Sequence, residues 1–133
     1  MELTAAVVFV SDLDRSTDFY REVLDLSVEI ATGDAVLLSS TTGRYLVLRA
    51  LHGADHFSGV LGLQYLIWTA EDPHDLGVCE QVLRDRGAFV ATWTDDVTTL
   101  VEGHDPDRAP VMIGSSPDPA VSATSLLSRL LAY

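Results

Sequence analysis

A repeated pattern of strand, acidic residues and helix limits the folds open to this chain more than any other feature. In the first copy, the apolar segment Val7–Val10 leads into Ser11-Asp12 and then a helical pattern. In the second, Leu66–Thr69 leads through Glu71-Asp72 into another helix. Each matching residue of the second copy lies 59 positions after its counterpart in the first: Cys79 after Tyr20, Val82 after Val23 and Leu83 after Leu24. A repeat of this size indicates two copies of one supersecondary unit that complete a core together.

Length and composition indicate a single globular domain. The chain has 133 residues, of which 47% are hydrophobic, so a packed core is expected. No apolar run approaches the roughly 20 residues of a membrane span, and Met1–Thr4 lacks the basic start of a signal peptide. Cys79 is the sole cysteine, which excludes an internal disulfide and a multi-cysteine metal site. We therefore expect a cytoplasmic protein.

The charge balance is strongly acidic. Twenty acidic residues against eight basic ones give a net charge of -12. Such a field repels nucleic acid and anionic membranes, so neither is an expected partner, and it attracts cationic ligands. Solubility alone also produces acidic surfaces, so the charge does not require a charged partner.

The first unit is predicted to have the order β-α-β-β-β. Residues 3–10 are apolar and β-branched, as in a strand, and Asp12 or Asp14 caps a helix that runs to Leu26. Three strands follow. They are predicted at residues 28–31, 34–39 and 44–51.

The second unit is predicted to repeat that order. A strand at 62–70 precedes a helix that begins after Asp72 and ends before Gly87. Further strands are expected at 88–94, 96–102 and 110–114. After a short linker, an amphipathic helix is predicted at 120–132. The chain is thus expected to be one α+β domain over residues 1–133, with unit one at 1–56 and unit two at 57–116.

Two motifs connect these units to a known family. The first is a strand followed by Val-x-Asp-x-x-x-Ser-x-x-Phe-Tyr-x-x-Val-Leu, spanning Val10 to Leu24. The second is Asp105-Pro106-Asp107, which is similar to an Asp-Pro-Asp-Gly-Asn turn with Arg108-Ala109 in place of Gly-Asn. Over residues 3–114 the chain resembles the vicinal oxygen chelate superfamily of glyoxalases, bleomycin resistance proteins and ring-cleaving dioxygenases.

The resemblance implies curved mixed sheets around a concave pocket, commonly in a homodimer. It also implies one divalent metal, held by a His or Gln on each unit's first strand and a Glu late in each unit's last strand. Those positions fall on Ala5, Gln64, Leu48 and Met112. Alanine, leucine and methionine do not bind a hard cation, and one amide does not make a site. We therefore expect no metal and no other cofactor.

The same positions predict an apolar ligand site instead. If Gln64 faces the pocket, period-two alternation brings Trp68 to the same side, and Trp93 lies on a neighbouring strand. The tryptophans would stack on an organic ligand, Gln64 would donate or accept a hydrogen bond, and Leu48 and Met112 would form apolar walls. This arrangement predicts sequestration of an organic, preferably cationic, molecule, as in antibiotic resistance proteins. Alternatively, these side chains simply fill the core.

An enzyme is the second hypothesis from the sequence. It would be a metal-dependent lyase, isomerase or dioxygenase with relocated ligands drawn from His52, His56, Glu102 and His104. Cys79 lies on the buried helix stripe and is expected to be an inert core thiol. A third hypothesis is a structural or regulatory module with a filled pocket and no ligand.

Overall fold

The fold consists of two βαβββ units with the same strand order. The computed structural model describes residues 5–51, 66–96 and 98–115. Residues up to Leu51, together with the turn Asp105–Arg108, form one compact unit. Residues from Leu66 to His104 and from Ala109 to Ser115 form the other. The predicted α+β class with two βαβββ units is confirmed.

Unit one is a four-stranded mixed sheet with one helix. The sheet has the order β1-β4-β3-β2, in which β1 and β4 are parallel and the other neighbours are antiparallel. Its elements are β1 (Ala5–Val10), α1 (Leu13–Leu24), β2 (Ser27–Ala31), β3 (Ala35–Ser39) and β4 (Tyr45–Ala50).

Unit two repeats this topology strand for strand. Its order is β5-β8-β7-β6, again with one parallel pair, between β5 and β8. Its elements are β5 (Leu66–Thr69), α2 (Pro73–Asp85), β6 (Phe89–Thr94), β7 (Thr99–His104) and β8 (Pro110–Ser115).

Both helices begin at the predicted acidic caps. The Asp12 carboxylate accepts the backbone N–H of Arg15 at 3.0 Å, and the Asp72 carboxylate accepts that of Asp75 at 2.8 Å. Each bond satisfies a donor that the first helical turn would otherwise leave unpaired. Helix α1 ends at Leu24, two residues before the predicted Leu26, because Asp25 adopts a left-handed conformation with φ 51°.

One face of the unit-one sheet is covered by α1. Helix α1 contacts β3 and β4, and its buried residues include Phe19, Tyr20 and Val23. The side chains beneath it alternate along the strands and are all buried: Val36, Leu38, Leu46 and Leu48. We call this the helix-covered face of unit one and the opposite side its helix-free face.

Gly103 identifies the corresponding face of unit two. A Cβ atom on Gly103 would lie 2.8 Å from a methyl carbon of Leu83 on α2. Strand register and alternation place Val101, Ile113 and Trp68 on that same helix-covered face. Residues of opposite alternation form the helix-free face of unit two.

Strand β7 begins three residues later than predicted. The backbone N–H of Asp95 donates to the carbonyl of Thr98 at 3.0 Å, and the N–H of Thr98 returns to the Asp95 carboxylate at 2.7 Å. This hydrogen-bonded turn uses residues that the strand would otherwise contain, so pairing starts at Thr99.

Several sequence predictions fall outside the described residues: the helix at 120–132, the first residues of the strands at 3–10 and 62–70, and the candidate side chains of His52, His56 and Gln64. Among the residues that the structure describes, no helix has the length and apolar character needed to cross a membrane.

Candidate functional site

The predicted site residues lie on different faces of the sheets. Leu48 is fully buried on the helix-covered face of unit one, and Trp68 pairs with Ile113 on the helix-covered face of unit two. Met112 and Trp93 lie on the helix-free face of unit two. Gln64 lies outside the described residues. The structure therefore brings Met112 and Trp93 to one face and places Leu48 and Trp68 on the sides that the helices cover.

The difference at Leu48 and Trp68 comes from a one-residue shift in alternation. Ile67, not Trp68, is in register with Met112 on β5 and β8. Likewise Val47 and Arg49, not Leu48, face the helix-free side of β4, because Leu46 and Leu48 are buried beneath α1. A shift of one position along a strand moves a side chain to the opposite face.

The helix-free face of unit one is apolar and open. Val7, Phe9 and Ile30 are 53%, 38% and 59% exposed, which is high for large apolar side chains that share one sheet face. Half-buried Leu37 and Val47 lie between them in the strand register. The sequence-based prediction missed this surface because β1 is apolar at every position. Its sequence therefore does not show which side chains face the core and which face outward. The one available signal was Arg49, whose charge indicates that odd positions of β4 face away from the core.

Arg49 lies on this same face beside Phe9. The two residues are register partners on parallel β1 and β4, and the Arg49 guanidinium carbon lies 5.3 Å from the centre of the Phe9 ring. This separation is within the range of a cation–π interaction. The helix-free face of unit one therefore combines an apolar surface with one arginine.

The helix-free face of unit two contains a buried carboxylate. Glu102 on β7 is only 8% exposed and is in register with Met112 on β8 and Ala91 on β6. His104 lies two residues further along the same strand and is half-buried. Trp93 lies nearer the opposite end of this face and is 43% exposed. Of the residues in the enzyme hypothesis, Glu102 and His104 thus share a face.

The described donors do not fit a divalent metal. Across residues 5–51, 66–96 and 98–115, no three His, Cys, Asp or Glu side chains cluster so that they could hold a metal ion. Of the positions implied by the family resemblance, Ala5, Leu48 and Met112 lie within the described residues, and they supply no carboxylate or imidazole. His52, His56 and Gln64 lie outside the described residues. No catalytic step through a metal follows from this donor set.

The two family motifs meet inside unit one. The Tyr20 hydroxyl donates to the Asp105 carboxylate at 2.9 Å, although the residues are 85 positions apart. Asp105 is 1% exposed and also accepts the backbone N–H of Asp107 at 2.9 Å. Burial, reinforced by the carboxylates of Asp105 and Asp107, holds the pKa of the Tyr20 phenol well above its usual value of 10.0. Tyr20 therefore stays a neutral hydrogen-bond donor and has a structural role.

Asp107 attaches the same turn to the beginning of α1. Its carboxylate accepts hydrogen bonds from the backbone N–H of Ser11 at 2.9 Å and from the Ser11 hydroxyl, and it lies 3.9 Å from the Arg15 guanidinium. Arg108 has a φ of 70°, the left-handed conformation that glycine adopts without strain. This conformation accounts for a glycine at that position in the turn that the segment resembles.

Comparisons with known proteins agree with the fold. The profile of the Glyoxalase family, described as the Glyoxalase/Bleomycin resistance protein/Dioxygenase superfamily, matches residues 3–113. Among curated proteins, none matches the chain in sequence. A glyoxylase/bleomycin resistance protein/dioxygenase domain from Frankia sp. EAN1pec is similar in structure, with a TM-score of 0.75 and 23% identity over 87% of this chain and 98% of that chain.

Two other solved structures with enzyme names share the fold. Lactoylglutathione lyase from Agrobacterium tumefaciens has a TM-score of 0.67 and 18% identity, over 86% of this chain and 92% of that chain. Oxidase ChaP-H1 has a TM-score of 0.68 and 20% identity, over 88% and 97%. Likeness at such identities shows the fold, whereas the profile match covers most of the chain. The chain therefore belongs to the glyoxalase/bleomycin resistance protein/dioxygenase superfamily.

Proposed function

We propose that this protein binds a small organic molecule on the helix-free face of unit one, without using a metal. The observation that carries the proposal is the joint exposure of Val7, Phe9 and Ile30 on a single sheet face. Large apolar side chains that are exposed together, rather than scattered, mark interaction surfaces. An aromatic ring among aliphatic neighbours suits stacking on a flat ligand.

The residue chemistry supports binding more than catalysis at this face. Its side chains are aliphatic or aromatic apart from Arg49, the hydroxyls of Ser39 and Tyr45, and the Glu29 carboxylate, which accepts the Ser39 hydroxyl at 2.6 Å. Arginine has no lone pair to act as a base, and no imidazole among the described residues bonds the hydroxyls. The Ser39–Glu29 bond lies at the β2 side of the sheet, whereas Phe9 lies on β1 at the other side. A surface of this kind retains a ligand and leaves it unchanged.

Unit two supplies a second apolar surface of its own. Trp93 and Ile67 are exposed on its helix-free face, and Met112, the register partner of Ile67, is buried on the same face. Ligand contact by Trp93, Met112 and Gln64 stays a prediction from the sequence. Sequestration of an antibiotic by a cytoplasmic homodimer is the biological form of this function that the sequence predicts.

Replacing Phe9 by alanine is expected to weaken binding of a neutral aromatic probe, 2-naphthalenemethanol, about tenfold, as for aromatic anchors in other binding surfaces. Ligand-observed NMR titration measures the dissociation constant. Val7→Ala should also weaken binding, whereas Val78→Ala, at a valine that is 49% exposed on α2, is the matched control. Equal affinity in the wild type, Phe9→Ala and Val78→Ala proteins would remove this face from the ligand site. Failure of the wild type to bind the probe would overturn the proposal.

A second candidate function is an enzyme that uses Glu102 as a general base. The observation in its favour is a carboxylate that is 8% exposed on the helix-free face of unit two, next to the position where the resemblance implies a glutamate. Structural neighbours named as a lyase and an oxidase agree with such a role for the fold.

Glu102→Gln tests the enzyme candidate. The substitution keeps the side-chain shape and removes the basic oxygen, so turnover of any thiohemiacetal or catechol that the wild type converts should fall at least a hundredfold. Glu71→Gln, at an exposed residue before α2, is the matched control. Turnover that persists in Glu102→Gln would contradict this role.

A further inference from the structure

We propose that Arg49 makes the helix-free face of unit one selective for flat organic ligands that carry a carboxylate. This inference rests on the proposed binding function and specifies the class of its ligand. The apolar part of such a molecule would lie over Phe9 and its neighbours. Its carboxylate would pair with the guanidinium of Arg49.

The position of Arg49 within the sheet is unusual for a solubilising charge. Among the described strand residues, Arg49 is the only arginine, and the sequence contains no lysine. Strand β4 lies inside the sheet, between β1 and β3. Charges that protect a sheet against aggregation belong on edge strands, where backbone groups are unpaired. Arg49 instead lies among the exposed apolar side chains of the helix-free face.

The contact with Phe9 holds the Arg49 guanidinium where it can bind an anion. The guanidinium carbon lies 5.3 Å from the centre of the ring, so the charged group is held over the aromatic face. A cation–π contact uses none of the guanidinium's N–H groups in a hydrogen bond, so these donors can bond a carboxylate bidentately. Within the described residues, no carboxylate forms an ion pair with Arg49.

At long range, the net negative charge of the protein favours cationic ligands, not the anionic ligands that Arg49 favours. A total of -12 attracts cations towards the surface, which is the basis of the cationic ligand expected from the sequence. That field is screened within about 8 to 10 Å at physiological ionic strength. On this face the charge in contact with Phe9 is Arg49, its register partner, so the chemistry around the ring favours an anion. The other described charge on the face, the Glu29 carboxylate, lies on β2, two strands away from β4, and accepts the Ser39 hydroxyl.

The test compares three probes that share one ring system: 2-naphthoate, neutral 2-naphthalenemethanol and cationic 2-naphthylmethylammonium. The wild type should bind 2-naphthoate about fivefold to tenfold more tightly than the neutral probe, the range of a partly exposed charge-assisted hydrogen bond. Arg49→Met, which keeps an apolar side chain of similar length, should abolish that preference and leave neutral binding unchanged. Arg49→Lys should retain only part of the preference, because lysine keeps the positive charge but lacks the paired N–H donors of the planar guanidinium.

Arg21→Met is the matched control. Arg21 is exposed on α1, which covers the opposite face, and its loss changes the net charge by the same amount. If Arg21→Met lowers the preference as much as Arg49→Met does, the effect is one of overall charge and the inference fails. Preferential binding of the ammonium probe by the wild type would also overturn it. Equal binding of all three probes, still weakened by Phe9→Ala, would overturn the role of Arg49 alone and leave the proposed function standing.

Discussion

Replacing Asp105 by alanine is expected to lower the free energy of unfolding by about 3 to 4 kcal/mol. The carboxylate is 1% exposed and accepts both the Tyr20 hydroxyl and the backbone N–H of Asp107. Without it, the Tyr20 hydroxyl loses its partner in a buried site, and the part-buried N–H of Asp107 loses its partner as well. A buried donor without a hydrogen-bond partner costs about 1 to 3 kcal/mol. The substitution should therefore be strongly destabilising for a domain of this size.

A double-mutant cycle with Tyr20→Phe separates the hydrogen bond from the rest of the effect. Urea denaturation of the wild type, Asp105→Ala, Tyr20→Phe and the double variant gives the four free energies of unfolding. The coupling between the two residues should be about 2 kcal/mol, because the bond joins a hydroxyl to a charged acceptor. Asp107→Ala, whose partners are exposed, should cost less than Asp105→Ala. A loss below about 1 kcal/mol for Asp105→Ala would contradict the structural role assigned to this contact.

The second large effect is expected at Gly103, where alanine should cost about 2 to 3 kcal/mol of unfolding free energy. A Cβ atom there would lie 2.8 Å from the Ala88 carbonyl oxygen and 2.8 and 3.0 Å from the two methyl carbons of Leu83. Leu83 is buried and the carbonyl belongs to the backbone, so neither neighbour can move away freely. The Ala88 carbonyl also accepts the N–H of His104 at 2.9 Å, and a displacement would strain that bond.

Gly114→Ala is the matched control for Gly103. It also replaces a strand glycine in unit two, but among the described residues the nearest atom to its Cβ would be a methyl carbon of Leu100 at 3.7 Å, which is ordinary van der Waals contact. Because alanine loses less backbone entropy than glycine on folding, Gly114→Ala should be neutral or slightly stabilising. Equal stability of the two variants in thermal and urea unfolding would show that α2 does not pack against β7 as closely as described.

The Tyr20–Asp105 contact explains why two distant motifs accompany one another in this chain. Tyr20 belongs to the helix of the first repeat, and Asp105 belongs to the turn between the last two strands of the second. The turn nevertheless packs with unit one, where Asp105 accepts the tyrosine and Asp107 accepts Ser11 at the start of α1. In these two motifs, the residues that carry the resemblance thus have a structural role.

The fold follows closely from local sequence patterns. The 59-residue repeat, the acidic caps Asp12 and Asp72 and the alternating apolar segments predicted both βαβββ units, and the observed strands agree within a few residues. These signals work because helix caps and turns depend on residues within one or two helical turns of each other. The exceptions, the end of α1 at Leu24 and the late start of β7, arise from backbone bonds and torsions that composition does not reveal.

By contrast, the face of the sheet on which each strand side chain lies depends on long-range packing. Strand β1 is apolar throughout, and β4 reads Tyr-Leu-Val-Leu-Arg-Ala, so alternation allowed Leu48 to face either side. Packing of α1 on Leu46 and Leu48 assigns those residues to the core and leaves Val47 and Arg49 on the opposite side. The same applies to Trp68 and Ile67 on β5. A period of two gives two equivalent choices, and only the side on which the helix packs distinguishes them.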